Sequence, residues 1–166
     1  VTRRQMAVFV ERAMRGGTRW PPNTVLVFPI KDTDGMPNFA ASGAELLARV
    51  ASVPTTGDDV PTDFNPWTVL VAPGYYSLGS ATLEVPANVT LRGSGRSATR
   101  IGSSTGGTTA APAVKLTSAS VADLSIMASG SGSQSSVVGL AAIGYARVID
   151  VDISSSNGTA SNVGVV

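Results

Sequence analysis

The chain has 166 residues with 12 Lys or Arg, 11 Asp or Glu, 18 Gly, 10 Pro, and neither His nor Cys. Lack of imidazole excludes Ser-His-Asp hydrolysis, Cys-His proteolysis and His-ligated metal sites, and lack of thiol excludes disulfides, iron–sulfur clusters and thiolate zinc. A formal charge of +1 argues against bulk nucleic-acid binding, and no apolar run reaches the ~18 residues needed to span a bilayer.

Charge is unevenly distributed. Residues 1–19 are basic, with five arginines against Glu11, whereas residues 20–63 are acidic and the remainder is close to neutral. The basic zone predicts one amphipathic helix over residues 1–16. Thr2 and Gln5 have capping-box spacing, Met6, Phe9, Val10, Ala13 and Met14 recur on one face, and Gly16-Gly17 stops the helix. So short a helix needs a packing partner.

Residues 17–41 read as a connector. Trp20-Pro21-Pro22 is stiff, Thr24 to Ile30 is a β-prone apolar run, and Asp32-Thr33-Asp34-Gly35 is a turn whose surroundings lack the remaining EF-hand ligands. Ser42 is expected to cap a short helix, with Glu45 at its third position and Ala44, Leu46, Leu47 and Val50 as its apolar residues. An acidic, Pro-bearing loop follows over residues 55–66.

From Trp67 the pattern changes to short strands: Trp67 to Ala72, Tyr75 to Leu78, Ala81 to Val85, Val89 to Arg92 and Thr99 to Ile101, separated by Gly, Pro, Ser or Asn. An internal repeat follows. Ala122-Asp123-Leu124-Ser125-Ile126 matches Ile149-Asp150-Val151-Asp152-Ile153 at a shift of 27, and Val138-Gly139-Leu140 matches Val163-Gly164-Val165 at 25. Ala113 to Leu116 aligns one period before Val137 to Leu140, at a shift of 24. Short strands repeating at about 25 residues, in a stretch where 38 of residues 102–166 are Gly, Ala, Ser or Thr, predict a β-solenoid with a thin core.

Two resemblances bear on this pattern. Val1 to Met14 resembles the closing helix of an S-layer homology repeat. In that family a Thr-Arg-x-Glu stretch caps the helix and its arginine faces an anionic wall polymer; Thr2 and Arg3 match, and Gln5 replaces the acid. The resemblance implies a bacterial cell-surface location and cell-wall polysaccharide as the partner of a complete anchor. Val69 to Ile101, notably Val71-Ala72-Pro73-Gly74-Tyr75-Tyr76 and Leu83 to Gly95, is similar to the opening rungs of pectin-lyase-like right-handed parallel β-helices. The expected organisation is an anchor tail at 1–16, a connector at 17–41, and at 42–166 the N-terminal part of a mainly β, right-handed parallel β-helix with a short capping helix. The chain is expected to be a piece of a longer protein.

Alternation turns Leu124, Ile126, Val151 and Ile153 inward and Asp123, Asp150 and Asp152 outward. Stacked carboxylates repel, so a cation lies between them, solvent screens them, or Arg147 and Lys115 balance them. Asp123, Asp150, Asp152 and Arg147 are therefore the candidate glycan or calcium contacts; no cofactor is expected, calcium being the one candidate, and no catalytic residue is assigned. Arg92, Arg96 and Arg100 form either a basic patch or a solvated turn, and Tyr75 and Tyr76 either stack on a sugar or cover a strand edge. Gly93 to Ala98 fits a dinucleotide-loop spacing, but no helix is expected after it. The function expected is non-enzymatic display, adhesion or glycan contact. The alternative is a polysaccharide lyase or esterase with most of its catalytic residues elsewhere.

Overall fold

A computed structural model describes residues 23–104, 111–130, 136–157 and 161–165. The predicted helix of residues 1–16, including Thr2 and Arg3, lies outside them.

The described residues are mainly β, with a single helix. In chain order the elements are β1 (Thr24–Val27), α1 (Phe39–Ala51), β2 (Trp67–Val71), β3 (Gly74–Ser77), β4 (Leu83–Val85), β5 (Val89–Arg92), β6 (Thr99–Ser103), β7 (Val114–Thr117), β8 (Ser120–Ser129), β9 (Ser136–Ile143), β10 (Arg147–Ser156) and β11 (Ser161–Val165). Strand pairing is parallel throughout. From β2 to β9 each strand pairs with one lying 22 to 31 residues further along, as Trp67 opposite Val89 and Leu83 opposite Val114 illustrate.

These pairings build three stacks. The first holds β1, β2, β5 and the opening halves of β8 and β10, and the second holds β3, β6 and the closing halves of β8 and β10. Both belong to one curled sheet because β8 pairs with β5 through its first half and with β6 through its second. The third stack, β4, β7, β9 and β11, is a separate four-stranded sheet.

Strand alternation decides what each stack buries. Val25, Val69, Leu91, Val121 and Val148 lie in register in the first stack; Tyr76, Ile101, Ile126 and Ile153 in the second; Leu83, Val114, Leu140 and Val165 in the third. Inner members of all three ladders, such as Leu91, Ile126 and Leu140, are fully buried. Each such side chain contributes roughly 1.5–3 kcal/mol by leaving water. Ladders end in exposure, because no later strand covers them among the described residues. Val148 is 42% exposed where its register mate Val121 is 0%, and Ile149 is 46% exposed where Ala122 is 7%.

α1 lies against β1, β2, β3 and β4, the first strands of all three stacks. Leu46 and Val50 insert into the core, whereas Ala44, expected on the apolar face, is exposed. The N-cap is Asn38, not Ser42: the Asn38 side chain accepts from the Ala41 amide at 2.8 Å. Ser42 sits one turn inside, buried, where its hydroxyl accepts from the Ile30 amide at 2.8 Å and donates to the Asn38 carbonyl at 2.7 Å. Gly43 lets the helix touch the sheet. A Cβ there would lie 1.8 Å from the Ser77 carbonyl oxygen.

The stretch expected to be a connector takes part in the fold. β1 pairs with β2, and Asp32 to Gly35 forms the expected turn, with the Gly35 amide donating to the Asp32 carbonyl at 2.9 Å and Gly35 at φ 76°. The repeat shifts of 27 and 25 match the observed registers of β8 with β10 and of β9 with β11. The shift of 24 is corrected to 26, since Val114 lies opposite Leu140. A two-residue slip preserves the inward and outward alternation, so hydrophobic pattern alone does not distinguish the two.

Candidate functional site

The outer surface of the second stack and the adjoining corner carry most of the chemistry. That corner changes form from level to level. Between β2 and β3 it is Ala72-Pro73; between β5 and β6 it is the loop Gly93 to Ala98; in β8 and β10 it shrinks to a single left-handed residue, Asp123 at φ 56° and Asp150 at φ 51°. Asp tolerates this conformation better than most side chains do.

The loop is pinned from both sides. Ser94 Oγ donates to the Val71 carbonyl at 3.0 Å on β2, and on the β8 side the Gly93 and Gly95 amides donate to the Ala122 and Asp123 carbonyls at 2.9 and 2.8 Å. Ser125 Oγ also donates to the Arg96 carbonyl. Gly93 is needed for this approach, because a Cβ would stand 2.4 Å from the Asp123 carbonyl oxygen. Thr99 to Ser103, directly after the loop, is strand β6, so the dinucleotide-loop spacing is met by a corner and no helix follows it.

Arg92, at the end of β5, and Arg96, on the pinned loop, are aimed at the outward acids. Arg92 Nε is 2.7 Å from Asp123 Oδ2. Arg96 reaches past β8 to β10, placing Nε 3.0 Å from Asp150 Oδ1 and Nη1 3.3 Å from Asp152 Oδ1. The register sets Asp123 and Asp150 at equivalent places, flanked by Ala122 opposite Ile149 and Leu124 opposite Val151, as the repeat predicted. Their charges are balanced by Arg92 and Arg96. Lys115 instead pairs with Glu84 at 3.2 Å, and Arg147, exposed and opposite Ser120, makes no ion pair among the described residues. The side chains in the Arg96 pairs are all more than half exposed, so these contacts are worth well under ~1 kcal/mol each. Among the described residues no group of three or more acids is arranged to hold a metal ion.

Arg100, exposed and in register between Tyr75 and Ser125, makes no ion pair among the described residues. The two tyrosines part company. Tyr76 is buried, its hydroxyl donates to the Ala72 carbonyl at 2.9 Å, and burial pushes its phenol well above its ordinary range. Tyr75 faces outward, edge-on to Phe39 with ring centroids 5.2 Å apart. It crosses the Cα of Gly102, where a Cβ would meet the Tyr75 hydroxyl at 2.0 Å. Beside Tyr75 a shallow groove of about 300 Å³ runs across the stack, lined by Ser77, Met127, Ser129, Ser154 and Ser156 among others.

The sequence points to Tyr75 but not to the groove. Met127 and the serines lie on strands whose register is needed to bring residues 75 to 156 together. Comparison with known protein families, with curated proteins and with solved structures found no match to this chain. Among the described residues no helix is long and apolar enough to cross a membrane.

Proposed function

We propose that the chain is a section of a wall-anchored bacterial surface protein whose residues 42–166 form rungs of a right-handed parallel β-helix, a display module that contacts glycans without catalysing a reaction. The observation that carries this reading is the register: parallel strands recur at steps of 22 to 31 residues, so outward residues of successive strands line up into one continuous face. α1, seated against the first strand of every stack, fits the capping role that an exposed solenoid end requires. The outward acids are engaged by Arg92 and Arg96 rather than open to a substrate. Attachment to the wall rests on the likeness of Val1 to Met14, with Thr2 and Arg3, to an S-layer homology helix, and the surface location follows from it.

The test is a sedimentation assay with purified cell-wall sacculi, paired with incubation of the intact surface protein with pectin and calcium. Binding of the intact protein to sacculi, without release of unsaturated uronates or methanol, is expected. Release of either product replaces this reading with a lyase or esterase, and absence of sacculus binding removes the anchor.

A further inference from the structure

The groove beside Tyr75 has a composition that selects a ligand class. Its walls are a phenol ring, a thioether and a set of hydroxyls, with no charged side chain among its lining residues. On the same outward face, Arg100 lies two residues before Gly102 and Asp152 two residues before Ser154, so the flanks carry one charge of each sign. Asp152 is already engaged by Arg96, and Arg100, opposite Tyr75, makes no ion pair among the described residues, so the flank is mildly basic while the walls of the groove itself are uncharged. The volume of about 300 Å³ sits at the lower end of the ~300–1,000 Å³ range of small-molecule sites, room for one or two sugar rings. Ser154 and Ser156 are exposed and Ser129 half-buried, so their hydroxyls are open to exchange water for ligand hydroxyls.

Gly102 fixes where the aromatic wall lies. A Cβ there would stand 2.0 Å from the Tyr75 hydroxyl, so glycine is what lets the phenol ring lie across β6 and form a wall of the groove. Phe39, perpendicular to Tyr75, braces the ring from the helix side. A braced aromatic ring, an apolar Met127 and flanking hydroxyls match a pyranose, whose C–H face is apolar and whose rim is polar.

We infer that this groove is a binding subsite for an uncharged sugar unit of an extended glycan, with Tyr75 and Met127 as the platform and Ser129, Ser154 and Ser156 as hydroxyl partners. The inference rests on the glycan-contacting reading above and narrows it to a neutral ligand and a defined place.

Calorimetric titration of the chain with cellotriose, mannotriose and chitotriose, and with trigalacturonate for comparison, tests it. At least one neutral trisaccharide is expected to bind saturably and more tightly than trigalacturonate. Tyr75→Ala should weaken that binding about three- to tenfold, in proportion to one lost ring contact. Ser154→Trp, at an exposed position that blocks the groove, should abolish it with no change in thermal midpoint. Neutral binding unaltered in both variants, or binding of trigalacturonate alone, overturns the groove assignment and leaves the glycan-contacting reading standing. No binding of any of the four overturns both.

Discussion

Asp123 and Asp150 occupy the same bend of two successive strands, both in the left-handed region and both held from outside by an arginine on the β5–β6 side. The bend lets one long strand serve two stacks without a loop, so the backbone need there outranks the charge. Asp123→Ala is expected to lower stability by about 1–2 kcal/mol, the cost of a Cβ in that conformation without a side chain that tolerates it. Asp123→Gly, which also loses the Arg92 pair, should stay within about 1 kcal/mol of the parent. Chemical denaturation separates the two, and equal losses would return the weight to the ion pair.

Arg96 ties two levels together through contacts in solvent. Arg96→Ala should cost no more than ~1 kcal/mol at low ionic strength, and the difference should shrink in ~1 M salt, where the Debye length falls to about 3 Å. Thermal unfolding at two salt concentrations measures this.

Gly43→Ala should reverse the usual helix preference. In an exposed helix position alanine gains about 1 kcal/mol over glycine, but here the added methyl meets the Ser77 carbonyl and drives α1 off β3. A net loss of about 1–3 kcal/mol is expected. Ala48→Gly, on the exposed face, should cost about 1 kcal/mol as an ordinary control.

Tyr76 predicts an alkaline limit. Its phenol is raised by burial above the ordinary 10.0, so the folded state keeps a proton that the unfolded state gives up. The stability tied to that proton is fully present below pH 10 and is lost as pH rises above it. Tyr76→Phe should cost about 1 kcal/mol at neutral pH for its lost hydrogen bond, yet show a flatter decline above pH 10. Denaturation midpoints taken from pH 7 upward check the slope.

The same substitution should matter less toward β10. Ile126 is fully buried, whereas Ile153, its register mate, is only partly so. Ile126→Ala should cost about 3–5 kcal/mol and Ile153→Ala about 1–2 kcal/mol. Equal costs in denaturant would show that some further element covers β10 in solution.

The sequence made the repeat legible where a unit keeps its pattern, as in Ala122 to Ile126 against Ile149 to Ile153, which share the bend Asp, an aliphatic residue after it and the closing Ile. It misled where two polar residues compete for one role: Asn38 and Ser42 both suit a cap, and only the position of the Ile30 amide reserves Ser42 for another partner. The arginine partners were hidden for a different reason. Arg96 lies more than fifty residues from Asp150 and Asp152, and the corner changes from two residues to six and then to one along the stack, so no fixed spacing announces the contact. The groove escaped likewise, since its residues adjoin only after the strands are stacked.

The contrast between Val121 and Val148 also gives the molecule a direction. Since each level rests on its immediate neighbours, opening free energy should rise from β10 and β11 inward toward the strands under α1. Amide hydrogens of β10 and β11 should exchange first, those of β8 later, and those of β2 and β5 only with global unfolding. Within residues 23–165, heating would then loosen the strands in order from the β10 side, losing the outward face a strip at a time.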